Sequence, residues 1–355
     1  MLALLRELGA GVDIVSGGEL FRAMKAGFTG ADVVFSGVGK TVAELEQAVA
    51  AQVKLVNVES EAELILLDEA ARRAKRIAPV ALRVNPEVEV ETAHHYTRTG
   101  ARGDKFGIPW DEARSVARLA DELPNVALVG LDMHIGSQLF RLDPYLDGVD
   151  RLVGLLEQLR AAGVNTVRYL DIGGGLGVSY DDEETPDLHR FARALVSRVQ
   201  PTGLTLLMEP GRFVVGNSGM LLTRVLYRKF SGGRHFLVTD AGMTELIRPS
   251  HYDAYHRIEP VAAPSGHMTA DVVGPVCESG DFLALDRELP EANPGDLLAV
   301  HDVGAYGYVM ASNYNTRPRG AEVLVDGDRY AVVTARERYE DLVHLELDHP
   351  EWRKG

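Results

Sequence analysis

A single cysteine, Cys277, lies in the run Gly274-Pro275-Val276-Cys277-Glu278-Ser279-Gly280-Asp281. One thiol cannot form an internal disulfide or a zinc site, so it is either a small buried apolar residue or a reactive group. Its neighbours have the composition of a loop, and a thiol in a loop beside a carboxylate is placed for proton transfer. Gly173-Gly174-Gly175, in Asp171-Ile172-Gly173-Gly174-Gly175-Leu176-Gly177, offers consecutive backbone N–H groups at close range. That is either an anion nest suited to phosphate or a flexible turn, and its spacing is not that of a dinucleotide fingerprint. In Glu209-Pro210-Gly211-Arg212 a carboxylate and a guanidinium could pair with each other. At a strand end they could instead hold a cationic heterocycle and an anionic group. His134-Ile135-Gly136-Ser137 puts an imidazole at a strand's end, where it faces a site or the core, and a hydroxyl that could donate to a phosphate. Arg248, in Ile247-Arg248-Pro249-Ser250-His251-Tyr252, and Tyr306, in Gly304-Ala305-Tyr306-Gly307, would each pass alone as a surface arginine and a packed tyrosine.

Two tempting patterns fail. Ser36-Gly37-Val38-Gly39-Lys40-Thr41 lacks the glycine that a P-loop needs at position 34, where Val34 stands, so Lys40 and Thr41 open the next helix. His94-His95 is not at metal-ligand spacing, and no metal is assigned.

Elements that must carry these groups alternate through the first two-thirds of the chain. Apolar runs predict strands at 12–16, 33–36, 55–58, 80–85, 129–135, 169–172 and 205–208. Between them, amphipathic patterns predict helices at 41–51, 61–75, 110–123, 146–162 and 186–199, the first opened by the capping box Thr41-Val42-Ala43-Glu44. Such alternation means parallel strands with crossover helices and sites at the strands' carboxyl ends. The expected fold is α/β, a TIM-like (β/α)8 barrel missing its first strand, because the runs number seven and the chain opens on a helix at 2–8. From about Gly219 period-two runs at 221–228, 235–239, 296–300 and 329–333, separated by Asn293-Pro294-Gly295 and Asp326-Gly327, predict a β-rich second domain. The expected division is 1–218 for the barrel and 219–355 for the domain carrying the Cys277 loop.

A formal charge of −15 argues against nucleic acid or an anionic membrane as partner, and the chain has no apolar run of membrane-spanning length. One cysteine and no targeting segment fit a reducing cytoplasm.

Taken in order, the motifs resemble the diaminopimelate decarboxylases, within the barrel-type pyridoxal-phosphate amino-acid decarboxylases. The likeness runs through Asp13-Ile14-Val15-Ser16-Gly17-Gly18-Glu19, Gly37–Thr41, Arg83-Val84-Asn85-Pro86 and Lys105-Phe106-Gly107, then through the groups above, and spans essentially the whole chain. The resemblance implies that Gly173, Gly174, Gly175, Ser137, the Pro210-Gly211-Arg212 segment and Tyr306 hold the phosphate of pyridoxal 5′-phosphate. It implies that His134 stacks on the ring and that Glu209 keeps the ring nitrogen protonated. Cys277 would be the acid that returns a proton after loss of carbon dioxide. Arg212 and Arg248 with Tyr252 match the positions that clamp a distal carboxylate, and Glu278 would take the distal ammonium. The match favours meso-diaminopimelate as substrate and L-lysine as product; His251 stands where an apolar residue is expected. In the family the Cys277 loop reaches a partner's site, so a homodimer is implied.

One departure lies at the amino end. Family members attach the cofactor through a lysine in a Tyr-Ala-x-Lys-like first strand, expected a few residues upstream of Met1. Lys25, Lys40 and Lys54 belong to other elements, and none is nominated in its place. Because Cys277, Glu209 and His134 are all present, the expectation is a fragment of a working enzyme. The alternatives are a non-catalytic cofactor- or partner-binding homologue and a decarboxylase of another amino acid.

Overall fold

The computed structural model describes residues 1–88, 90, 103, 105–262, 266–349 and 352. The chain divides into two compact units, one of residues 1–178 with 184–213, the other of 179–183 with 214–355.

In the first unit seven strands, β1 (Val12–Ile14), β2 (Val33–Phe35), β3 (Leu55–Val58), β4 (Ala78–Arg83), β5 (Val126–Asp132), β6 (Tyr169–Asp171) and β7 (Thr205–Leu207), lie side by side in chain order and all pair in parallel. The described strands leave β1 and β7 as the sheet's two edges. This is the parallel sheet of a (β/α)8-type fold short of one strand, as the sequence predicts. Helix α1 (Leu2–Glu7) precedes β1; α2 (Gly17–Lys25), α3 (Val42–Ala51), α4 (Glu61–Ala74), α5 (Ala113–Glu122), α6 (Asp143–Ala161) and α7 (Leu188–Val199) intervene, and α8 (Gly211–Val215) follows β7. Successive strand residues point to opposite faces, and both faces are buried, which is why these strands read as continuous apolar runs. Val33 and Phe35 join Leu45, Leu64, Val149 and Phe191 under the helices, whereas Val34, Leu55, Ala81 and Val129 form a second, smaller cluster on the other face.

The predicted caps and limits hold in part. Thr41 caps α3: its Oγ1 accepts from Glu44 N at 3.3 Å, and Glu44 Oε2 accepts from Thr41 N at 2.9 Å. The Lys40 side chain is wholly buried, donating at 2.7 Å to Glu63 and to the carbonyls of Gly37 and Asn57, a structural cation rather than a phosphate ligand. Strand β5 ends at Asp132, not Ile135, because Met133 and Ile135 stay fully buried beyond the ladder and keep the run apolar. Helix α2 has no sequence counterpart above, since it opens on two glycines, poor helix formers. Gly17 packs close to α3: a Cβ there would lie 2.8 Å from Gln47 Oε1, which would have to move aside.

The second unit is built on a six-stranded sheet of β8 (Met220–Ser231), β9 (Arg234–Thr239), β10 (Ile258–Pro260), β11 (His267–Val273), β12 (Phe282–Pro290) and β13 (Leu297–His301), in the order β10-β13-β8-β9-β11-β12. Its pairs are antiparallel except β9 with β11. Val225, Leu237, Val272, Leu283, Leu298 and Val300 centre its core. A hairpin, β14 (Glu322–Asp326) and β15 (Arg329–Thr334), turns at Asp326-Gly327, where the left-handed φ of +62° suits glycine. Among the described residues no helix is long and apolar enough to cross a membrane.

Candidate active site

Three neighbouring strands deliver the predicted groups of the first unit. His134 lies two residues past the end of β5, Gly173 two past β6 and Glu209 two past β7, so all three sit at the carboxyl ends of adjacent parallel strands. Backbone bonds tie these ends together: Glu209 N–H donates to Gly173 O at 2.8 Å and Leu139 N–H to Gly175 O at 2.9 Å. Tyr145 from α6 donates its hydroxyl to Gly174 O at 2.7 Å.

The glycine run is demanded by this crowding. A Cβ on Gly173 would stand 2.5 Å from Met133 O, one on Gly174 would collide with Glu209 O, and one on Gly175 with Gly136 O. Gly173 and Gly175 also have left-handed φ values of +68° and +102°. Two of the three N–H groups are used within the protein. Gly173 donates to Asp171 Oδ1 at 3.0 Å and Gly174 to His134 Nδ1 at 3.1 Å, while the Gly175 N–H has no partner among the described residues. Gly174→Ala is therefore expected to destabilise by about 1–3 kcal/mol through overpacking. Thermal unfolding checks this, and a melting point within a degree of wild type would contradict it.

The bond from Gly174 makes His134 Nδ1 an acceptor, so the ring is neutral with its hydrogen on Nε2. Burial, with the Arg83 charge, lowers the His134 pKa to about 3. Arg212, buried at the start of α8, points Nε and Nη2 to 3.4 and 3.3 Å from Ser137 Oγ. A hydroxyl and a guanidinium held together form a donor set for an anion.

Opposite in character is a group of carboxyls on the strand ends, in which Glu209 is joined by aspartates that the sequence reading did not assign. Asp132, Asp171 and Glu209 each place an oxygen within 4.8 Å of the others. Asp132 Oδ1 and Asp171 Oδ2 are buried and have no hydrogen-bond partner among the described residues. Asp13, on the edge strand β1, accepts from Ser36 Oγ at 2.6 Å; Asn57 Nδ2 donates to that same oxygen at 3.0 Å. Glu209 Oε1, 3.4 Å from Ser36 Oγ, is a second and longer acceptor for the same hydroxyl. Burial, then the neighbouring charges of Asp13, Asp171 and Asp132, raises the Glu209 pKa well above the ordinary carboxylate range. Burial likewise raises Asp132, and brings Asp171 to about 6.

Arg83 at the end of β4 supplies a countercharge. Its Nη1 bonds Glu59 Oε1 at 2.9 Å and its Nε is 4.0 Å from Asp132. Glu59 Oε2 takes the N–H of Gly107 at 2.9 Å, and Phe106 lies 5.2 Å from the Arg83 guanidinium, which gives the Lys105-Phe106-Gly107 segment a structural role. Residues 94 and 95 lie outside the described residues.

A carboxyl raised by folding stabilises below its unfolded pKa, and that contribution is lost as pH rises through the folded value. For Asp171 the window runs from about 4 to about 6. Asp171→Asn is expected to melt about 2–4 °C higher than wild type at pH 8 and no higher at pH 4. Equal melting points at pH 8 would refute the crowding.

In the second unit Cys277, Glu278 and Ser279 form the exposed tip of a loop. Buried Asp281 builds it: Oδ1 accepts from Met243 N at 2.7 Å and Oδ2 from Val276 N at 2.6 Å. Gly274 is needed because a Cβ there would strike the Asp281 carboxylate. The Glu278 carboxylate raises the pKa of Tyr314, a residue not singled out in the sequence. Arg248 opens the short helix α9 (Arg248–Tyr252), which also carries Tyr252; it is buried, with Nη1 2.8 Å from His256 Nε2 and its guanidinium 4.6 Å from the Tyr180 ring centre. His251 stacks edge-on to Tyr252 with centroids 4.5 Å apart. Tyr306 is half exposed at a left-handed φ of +59°, so it is not a packed core tyrosine.

The profile of the family described as "Pyridoxal-dependent decarboxylase, pyridoxal binding domain" matches residues 1–216. Diaminopimelate decarboxylase of Vibrio cholerae is 48% identical over 353 residues, covering 99% of this chain and 84% of that protein. The enzyme of that name from Aquifex aeolicus is 46% identical over 350 residues, covering 98% and 83%. The crystal structure of diaminopimelate decarboxylase from Helicobacter pylori complexed with L-lysine superposes with a TM-score of 0.93 at 42% identity, covering 97% of this chain and 86% of that one.

Proposed function

This chain belongs to the diaminopimelate decarboxylase family of the pyridoxal-dependent decarboxylases, and we propose that it converts meso-2,6-diaminopimelate to L-lysine and carbon dioxide. One observation carries the reading: acceptor and donor sets face a single rim of parallel strand ends. Glu209 stands amid carboxyls with orphaned buried oxygens, which suits a cationic ring nitrogen. Ser137, Arg212 and the Gly175 N–H suit a phosphate, and the family resemblance assigns Tyr306 to the same group. Pyridoxal 5′-phosphate therefore fits these residues, and when bound it supplies the electron sink for the pair left behind by the departing carboxylate.

The protein's own groups divide the remaining work. Neutral His134 offers a flat face to the ring without competing for the carboxyls. Glu209 holds a proton at the ring nitrogen. Cys277 gives its thiol proton to the substrate carbon and, being exposed, regains one from water. The family resemblance assigns Arg212 and Arg248, with Tyr252, to the distal carboxylate, and Glu278 to the distal ammonium. That solved relative from Helicobacter pylori is a complex with L-lysine, the expected product.

A homodimer in which the Cys277 loop serves the partner's site is part of this proposal. Tyr227, Phe230, Val325 and Tyr330 in the second unit are more than half exposed, apolar surface that a second copy would cover. A single cysteine fits a cytoplasmic protein.

The test is release of carbon dioxide with pyridoxal phosphate present, run on the 355-residue chain and on the same chain lengthened at its amino end by its own reading frame. Equimolar lysine from meso-diaminopimelate, formed faster than products from ornithine, lysine or arginine, is expected in at least one. A preference for a diamino acid without a distal carboxylate, or activity in neither, would overturn the reading.

A further inference from the structure

We propose that His256 is a positioning residue for substrate recognition: it fixes the Arg248 guanidinium in the orientation that receives the distal carboxylate. The inference rests on the reading of Arg248 given above and deepens it.

His256 is fully buried in the segment between α9 and β10, and both ring nitrogens have partners. Nε2 is 2.8 Å from Arg248 Nη1, and Nδ1 is 2.8 Å from the carbonyl oxygen of His301 at the end of β13. A guanidinium has donors only and keeps its charge at any pH a protein meets. Nε2 must therefore accept, so Nδ1 carries the ring's one hydrogen and donates it to His301. The two contacts select one neutral tautomer.

That ring is itself held. Tyr180 meets it edge-on with centroids 5.3 Å apart, and the same tyrosine lies 4.6 Å from the Arg248 guanidinium. Arg287 Nη1 donates to the His256 carbonyl oxygen at 2.9 Å and stacks 3.9 Å from the Tyr255 ring centre. An arginine on an exposed loop would be ordered only on binding. Here one N–H is pinned and one face is supported in advance, which lowers the entropy lost when a carboxylate docks. His256 touches neither cofactor nor substrate in this scheme and acts through Arg248.

The enzyme loaded with pyridoxal phosphate tests it. His256→Phe keeps a ring but removes the acceptor, and is expected to raise KM for meso-diaminopimelate about 10–100-fold, the worth of one hydrogen bond to a charged group. kcat should stay within about threefold. His256→Gln places an amide oxygen near Nε2 and should restore most of the loss. Product binding gives a readout independent of turnover. Decarboxylation leaves lysine with the carboxylate that the clamp holds, whereas cadaverine has none. His256→Phe should weaken inhibition by lysine and leave inhibition by cadaverine unchanged.

Arg248→Met separates the two ideas. If it leaves KM unaltered, the clamp reading fails and the inference with it. If it raises KM while His256→Phe does not, the clamp stands and the assignment of His256 is overturned. Equal weakening of lysine and cadaverine also overturns it. Should the Phe variant not fold, Gln against His256→Asn decides: Asn keeps a donor for His301 but puts no acceptor under Arg248. Impairment in Asn alone supports the assignment, and equal behaviour refutes it.

Discussion

Cys277→Ala is expected to lower kcat for decarboxylation by about 10²–10⁴-fold, the range over which a positioned general acid acts, with little change in melting temperature. The two halves of that result come from different facts. The thiol sits at an exposed loop tip, so its removal opens no cavity and breaks no core contact. The loop is shaped by the buried Asp281 carboxylate accepting from Met243 and Val276, and that scaffold is untouched by the substitution. Cys277→Ser keeps the size and offers a far weaker acid, so it should fall between wild type and alanine. Lysine formation under saturating substrate measures the loss. A drop of less than about threefold would remove Cys277 from the proton-transfer step.

Glu209→Gln is expected to cut kcat by roughly 10²-fold or more, the scale found when one preorganised polar group is removed from a site, while raising stability at alkaline pH. The amide keeps the shape of the carboxyl but cannot hold a proton on a ring nitrogen. It also removes one of the crowded acids at the strand ends. With the Glu209 pKa raised on folding, its favourable contribution is lost as pH rises through the folded value, and the charged form then opposes Asp13, Asp171 and Asp132. A variant less active yet harder to melt at pH 8 would have the signature of a site built against stability. Loss of activity together with a lower melting point at pH 8 would instead mean that Glu209 is a structural residue. Retained activity would mean that the ring nitrogen is not its partner.

Much of the first unit was legible because its strands are buried on both faces and read as uninterrupted apolar runs. Where burial continues past the ladder, as at Met133 and Ile135, the reading overshoots. Helix α2 escaped it because two glycines stand at its start, and β10, β11 and β12 escaped because charged residues such as Asp271, Asp286, Arg287 and Glu288 interrupt their alternation. The groups named from sequence at β5, β6 and β7 do meet in the fold, since strand-end position is a local property. Asp13, Asp132 and Asp171 were missed although each is an acid inside an apolar run, a signal that was present and taken simply as part of the strand. Tyr145 and His256 left no such trace. Their partners, Gly174 and Arg248, are reached through tertiary packing or across an irregular segment, and no spacing rule connects them.

The path of the chain through its two units bears on how such a protein can be rearranged. Residues 179–183 belong with the second unit, though 184–213 return to the first. Tyr180, in that short excursion, packs against both His256 and Arg248. A gene segment encoding only residues 214–355 would therefore leave out a wall of the pocket around its own arginine. Recombination that exchanges one contiguous segment between related enzymes cannot carry this specificity as a cassette. Grafting it requires moving two separated stretches of sequence together, so inheritance of the carboxylate-binding arginine in working form is tied to inheritance of both stretches of the second unit.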